Sequence, residues 1–443
     1  YNTRAVGGEN DNTEIVRKIA ALRLEIARLL GYDCWADYVL EENMAKNTET
    51  VMSFLEKLMT PSLPFARREV QTVYGYAVAH GFRETAEKAG LPFHTLMPWD
   101  FSYWAERYKE AEYSLNDEQL KPYFRLENCI DAVLGLAGKL YGISFEERTD
   151  IPVYHKDVKV YDVRDNDGRH LALFYADFFP RATKRGGAWM TEFRGQRIEN
   201  GVEERPLVSI VMNFSKPTEN APSLLTHDEL TTFLHEFGHS LHGMFAEGRY
   251  PSLCGTNVAR DFVELPSQIM ENWAFEPEYL ESFAKDYRTG EVIPKSLITR
   301  IVNAKNYLAG YYQVRQLDFG ELDMAWHTLK VEPEEDTLDF ENAALEDYRV
   351  LPHYPGTAIS TSFGHIFSGG YSAGYYSYKW AEVLEADAFA LFQEKGIFDM
   401  ETAESFRREI LSKGDSVDPA VLYRNFRGHE PDSQALMKKL GLV

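Results

Sequence analysis

Apolar residues recur at helical spacing from the first turn of the chain onward. Ile15, Ile19, Leu22, Ile26 and Leu29 fall on one face, Asn12 or Thr13 can cap the segment, and Gly31 stops it. The same period returns over 48–60, 64–82, 99–112 and 126–140, with Pro61, Pro64, Pro92 and Pro98 as punctuation. The middle of the chain changes period. Residues 158–163, 170–175 and 207–214 are β-branched or aromatic runs, and Asn166-Asp167-Gly168 supplies a hairpin turn between the first two. The loop Lys184-Arg185-Gly186-Gly187-Ala188-Trp189 separates the second run from the third. From Asp228 the helical pattern resumes, over 228–247, 265–287, 294–329, 371–396, 401–412, 418–427 and 433–440. The pattern predicts a mainly α protein with one small β-sheet just before the helix that starts at 228. No Pro- or Ser-rich linker, repeat or low-complexity tract interrupts it. A working division is 1–150 (helical), 151–290 (sheet and following helix) and 291–443 (C-terminal helical).

The composition fits this picture. A chain of 443 residues with 44% hydrophobic and 14% aromatic content can bury the cores of two or three packed subdomains. No run of apolar residues is long enough to span a membrane. The net charge of −22 repels nucleic acid and anionic lipid and suits neutral or cationic substrates. Cys34, Cys129 and Cys254 are odd in number and widely spread, so buried free thiols are expected rather than a disulfide framework. That usage favours the cytoplasm, with the periplasm as the alternative. The chain opens on Tyr1 rather than Met, and a polar stretch to Asn12 precedes an abrupt helix, as in a piece of something longer.

The chemistry concentrates at His235-Glu236-Phe237-Gly238-His239. Two histidines four apart on a helix share a face and can grip one ion, and the intervening Glu can reach a metal-activated water. Leu230, Phe233, Phe237, Leu241 and Met244 cluster on the opposite face, so the helix can back onto a core while the histidines line a cleft. A catalytic zinc needs a third protein ligand and keeps one position open. Glu264, just before Pro266 at a helix start, is a candidate, and Asp261 is its local competitor. Glu271, seven residues past Glu264, could orient a ligand imidazole. His242 is a further ligand in principle, although a core role fits it better.

These residues resemble a known family. His235-Glu-Phe-Gly-His239 followed by Asp261-Phe-Val-Glu264-x-Pro-Ser-Gln268 is similar to the thimet oligopeptidase family of zinc metallopeptidases. Phe363-Gly-His365-Ile-Phe-Ser-Gly-Gly-Tyr371-Ser-Ala-Gly-Tyr375-Tyr-Ser-Tyr378, Leu411-Ser-Lys-Gly414-Asp-Ser and Leu422-Tyr-Arg-Asn-Phe-Arg-Gly428 extend the likeness over essentially the whole chain. Met44-Ala-Lys46, Ile151-Pro-Val-Tyr-His155, Gly255-Thr-Asn257 and the seven-residue span from His365 to Tyr371 agree with the bacterial peptidyl-dipeptidase (dipeptidyl carboxypeptidase) subgroup.

The resemblance implies a zincin-like (gluzincin) catalytic region, two-lobed with a deep substrate channel. It also implies a large N-terminal helical portion that this sequence lacks. One Zn2+ per chain would be held by His235, His239 and Glu264, with Glu236 as general base. Tyr378, with His365 and Tyr371 nearby, would donate to the developing oxyanion. The implied activity is release of C-terminal dipeptides from short oligopeptides, with no nucleic-acid or membrane partner. Endo-oligopeptidase activity is the alternative within the family. A non-catalytic peptide-binding fragment that needs the missing N-terminal portion is the alternative outside it. For reading a substrate's terminal carboxylate, Arg181, Lys184, Arg185 and Arg260 are equal candidates.

Overall fold

A computed structural model describes residues 3–90 and 94–443; Tyr1 and Pro92 lie outside these. The chain forms two compact units. One comprises the chain up to Tyr113 together with Asn306–Trp380 and Met437–Val443, and the other comprises Ser114–Lys305 and Ala381–Leu436. Helices dominate, and the strands form a small mixed sheet beside the motif helix. No helix among the described residues is long and apolar enough to cross a membrane. Cys34, Cys129 and Cys254 are all buried free thiols.

The first unit is built on two long helices, Thr48–Ala79 and Ala309–His327. The sequence predicts a break at Pro61 and Pro64, yet both lie inside one continuous helix. Each proline removes only one N–H donor, and packing against the second helix holds the axis together. Glycines make that packing close: a Cβ on Gly310 would lie 2.8 Å from the Ala66 nitrogen. Glu69 accepts from the N–H groups of Gly310 and Tyr311 at 3.2 and 2.7 Å, so the first helix caps the start of the second.

The helix Thr13–Leu29 forms where expected but presents a different face. Ile15, Leu22, Ile26 and Leu29 are 45–80% exposed, whereas Val16, Ala20, Leu24 and Ala27 are buried. Val16 and Ala20 pack with Leu322, Trp326 and Ile366. The smaller side chains allow a closer approach than the larger apolar stripe would.

In the second unit the strands are β1 (Ser144–Glu147), β2 (Lys159–Arg164), β3 (His170–Asp177), β4 (Trp189–Arg194), β5 (Arg197–Glu199), β6 (Val202–Glu204) and β7 (Leu207–Val211). The sheet order is β1-β2-β3-β7-β4; β3 and β7 run parallel, and the other pairs are antiparallel. The β2–β3 hairpin turns where Gly168 reaches φ +83°. β5 and β6 make a separate hairpin about Asn200-Gly201, both at positive φ. That dipeptide is a strong turn signal, and its hairpin adds to the three strands the sequence predicts. β1 and β4 are further strands beyond those predicted: β1 is short and mostly exposed, and β4 mixes polar and apolar residues because it is an edge strand.

The predicted helix at 265–287 is broken into Leu265–Glu271, a 3-10 turn at Asn272–Phe275 and Pro277–Phe283. The one at 294–329 divides between Ala304 and Ala309, where Leu308 takes φ +55°. The helix Thr337–Leu345 was not anticipated.

A buried ion pair ties the hairpin to the C-terminal part of this unit. Arg407 donates to both oxygens of Asp165 at 3.0 and 2.6 Å. The bonded guanidinium holds the Asp165 carboxyl down at about 2. Because the folded pKa lies below the ordinary carboxylate value, this stabilisation is complete above pH ~4 and is lost as pH falls toward ~2. Asp165→Asn should cost about 3 kcal/mol at neutral pH by leaving Arg407 buried and unpaired. It should also flatten the stability profile between pH ~4 and ~2, as denaturant unfolding across that range would record.

Candidate metal centre

The motif helix, His227–Met244, begins with a capping box. Thr226 Oγ accepts from the Glu229 N–H at 3.1 Å, and Glu229 Oε2 accepts from the Thr226 N–H at 2.8 Å. Leu230, Phe233, Phe237, Leu241 and Met244 are all buried, as their spacing predicts. Phe237 meets the rings of Phe145 and Phe174, and Phe233 meets Phe178 and Phe214, so aromatic contacts with the sheet region fix the helix.

Gly238 decides what lies on the other side. A Cβ there would fall 2.2 Å from the Pro266 carbonyl oxygen and 2.7 Å from Ser267 Cα. Only glycine lets the segment Leu265–Glu271 cross at this distance, and that crossing delivers Glu264. Glu264 is 3% exposed. Its Oε2 lies 3.1 Å from His239 Nε2 and 3.4 Å from His235 Nε2. Ser267 Oγ donates to the same oxygen at 2.9 Å. Glu271 Oε1 lies 2.7 Å from His235 Nδ1, which places the lone pair of that imidazole on Nε2.

His235, His239 and Glu264 thus converge, the group among the described residues able to hold an ion. The donor set fits zinc. Ligand atoms about 2.0–2.2 Å from a tetrahedral Zn2+ are about 3.3 Å apart, close to the separations seen here. Burial opposes charge on His235, but Glu264 and Glu271 outweigh it and hold the imidazole well above its ordinary range. Burial likewise opposes charge on Glu264, and the two histidines hold it well below the carboxylate range. A metal entering this cluster displaces protons, so its affinity weakens as pH falls.

Glu236 is 7% exposed, and burial pushes its carboxyl up against the pull of His235, His239 and the Met190 N–H. Asp261 and His242 are fully buried but lie outside the trio, and burial first, then His239, pushes His242 down to about 3. Ser267 and Gly238 complete the local arrangement. Neither carries a recognisable chemical signature, and only the Pro-Ser-Gln and His-Glu-Phe-Gly-His contexts hint at them.

His365, Tyr371 and Tyr378 belong to the other unit. They form one aromatic cluster: Tyr371 stacks on Tyr378 at 4.9 Å, and His365 meets both rings edge-on at 6.1 and 6.4 Å. Asp323 anchors the following turn by accepting the N–H groups of Ala373, Gly374 and Tyr375, each at 2.8 Å. Arg23 donates to the Ile366 carbonyl at 2.6 Å and contacts His327, which bonds Asp323 at 2.7 Å. One network therefore holds both ends of the Gly-rich loop. Tyr375 and Tyr376 are buried and serve as core aromatics.

Of the cations considered for a terminal carboxylate, Lys184 is committed elsewhere. Its Nζ donates to Asp177 Oδ1 and to the carbonyls of Asp177 and Phe179. Arg181 also pairs with Asp177.

The sequence model of Peptidase family M3 matches residues 1–442. The chain is 39% identical to oligopeptidase A of Escherichia coli (strain K12), over 100% of this chain and 65% of that protein. It is 40% identical to dipeptidyl carboxypeptidase of Salmonella typhimurium, over 99% of this chain and 64% of that protein. It thus spans just under two-thirds of the length of these relatives. Among solved structures, PZ peptidase A with an inhibitor aligns at a TM-score of 0.57 with 16% identity, over 98% of this chain and 64% of that one. An M32 carboxypeptidase from Deinococcus radiodurans R1 aligns at 0.57 with 16% identity, over 97% and 74%. At that identity the structures speak to the fold alone. The family match over nearly the whole sequence, with relatives at 39–40% identity, shows that this chain belongs to Peptidase family M3.

Proposed function

We propose that this chain carries the catalytic machinery of a zinc peptidase that releases C-terminal dipeptides from short oligopeptides. The observation that carries the reading is the convergence of His235, His239 and Glu264 at zinc-ligand spacing beside the buried Glu236. A bound zinc ion supplies Lewis acidity, which polarises a carbonyl and lowers the pKa of water from ~15.7 toward ~7. Glu236 takes the proton from the attacking water and passes it to the departing amine. Its burial excludes competing solvent and keeps the carboxylate basic. Glu271 fixes the tautomer of His235, and Ser267 fixes Glu264. Tyr378 is assigned, from the family likeness, as the hydrogen-bond donor to the oxyanion, with His365 and Tyr371 as its neighbours.

The substrate class has independent support in the sheet. β4 pairs only with β7, and its other edge is open among the described residues. The Met190 N–H on that edge meets Glu236. An extended peptide can add itself to such an edge with its backbone running past the general base. Endo-oligopeptidase cleavage is the second reading, favoured by the comparable identity to oligopeptidase A.

Glu236→Gln should retain about one zinc per chain by elemental analysis while kcat falls by about 10²–10⁴. Retained turnover would exclude Glu236 as the base. Tyr378→Phe should lower kcat by about 10²–10³ with little change in KM. An unchanged kcat would exclude it as an oxyanion donor. Mass spectrometry of products from one peptide in free-acid and amidated forms, each with and without chelator, separates the two specificities. The dipeptidase reading expects a C-terminal dipeptide from the free acid, none from the amide, and no cleavage with chelator. Equal cleavage of both forms would establish the endo-oligopeptidase instead.

A further inference from the structure

Residues along β4 alternate between its two faces. Trp189, Thr191 and Phe193 line a cavity on one face. Met190 and Glu192 turn to the other, against the motif helix, where a Cβ on Gly243 would lie 2.7 Å from both Met190 Cε and Glu192 Oε1. Three glycines from separate segments make room for the Glu192 carboxylate. A Cβ on Gly255 would also lie 2.7 Å from Oε1, and one on Gly195 3.0 Å from Oε2.

This cradle supplies space but no charge. Among the described residues nothing donates a hydrogen bond to Glu192 or pairs with it, and burial pushes its carboxyl up to about 7. The nearby cation is occupied: Arg194 donates to the Arg205 carbonyl at 3.0 Å and sits 3.7 Å from Glu204. The side chain is half-buried, and a carboxylate drawn part-way out of water without a partner is costly to keep. This one opens on a cavity of about 520 Å³ that Arg194 also lines, its guanidinium turned to Arg205 and Glu204, and whose rim carries the polar residues Thr191, Ser252, Thr256 and Asn257.

We propose that this cavity is a subsite for a cationic side chain of the peptide substrate, an Arg guanidinium or a Lys ammonium, with Glu192 as its counter-charge. The inference rests on the peptidase reading above. It also places the cation along the substrate. Glu192 is two residues beyond Met190, whose N–H meets Glu236, so the two positions are about 7 Å apart along the strand. A peptide paired to the β4 edge would set a side chain in the cavity two positions from the bond being cleaved. The net charge of −22 favours cationic over anionic peptides in general.

The test uses peptides that differ only by Arg or citrulline, two positions from the cleaved bond on either side. The wild-type chain should favour Arg by about tenfold in kcat/KM on one side. Glu192→Gln should bring that ratio close to one. Should that variant not fold, Ser252→Lys places a competing cation on the rim and should remove the same preference. A wild-type ratio near one on both sides, or a ratio that survives both substitutions, overturns the proposal. The same peptide pairs are titrated by calorimetry into Glu236→Gln, with and without Glu192→Gln. If no peptide is cleaved, the peptidase reading fails by itself. Tighter binding of the Arg peptide that vanishes with Glu192→Gln then still supports the subsite, and equal binding of Arg and citrulline peptides overturns it.

Discussion

The second unit depends on one close approach. Where the motif helix passes Pro266 and Ser267, the separation leaves no space for a Cβ, and Gly238 occupies that position. The motif places His235 and His239 on one helical face whatever surrounds it. The third donor has to come from another segment, and the crossing at Gly238 sets how near it comes. The glycine between Phe237 and His239 is therefore as much a part of the centre as the donors. Phe237, on its other side, locks the helix to the sheet through Phe145 and Phe174.

Electrostatics reinforces this geometry. Two imidazoles and two carboxylates, Glu264 and Glu271, meet at one cluster, in which the buried Glu264 would be costly alone. Together they balance, and the balance suits exchange of protons for a divalent cation. Glu236 stands beside this group without joining it, and burial keeps it a stronger base than a surface carboxylate. Glu192, two residues along β4 from Met190, has no such balance among the described residues, which is why it reads as a binding element rather than a structural one.

Much of the centre was legible in the sequence because local spacing encodes it. Residues four apart on a helix face one another, and the pattern Leu230, Phe233, Phe237, Leu241 announces the buried side. What spacing could not settle was the choice between Asp261 and Glu264, since both precede Pro266 within a turn or two. The crossing at Gly238 brings Glu264 to the histidines, and that is a tertiary fact. The same limit explains the misread parts of the fold. Pro61 and Pro64 sit inside a helix because a neighbouring helix supports it. The helix Thr13–Leu29 buries its smaller face because its partners demand close contact rather than large side chains. β4 hides as an edge strand that mixes polar and apolar residues and lines two cavities. Asp323, which anchors the turn before Tyr378, looks in sequence like any polar helical residue.

The central claim is that two imidazoles and one carboxylate from this chain form a zinc centre. X-ray absorption spectroscopy of the zinc-loaded chain tests it most directly, because it reads ligand type and distance without relying on turnover. The account predicts a four-coordinate ion with two imidazole nitrogens at about 2.0–2.1 Å, oxygen ligands at about 2.0–2.2 Å and no sulfur. A sulfur shell at about 2.3 Å, or a spectrum with a single imidazole, would contradict it.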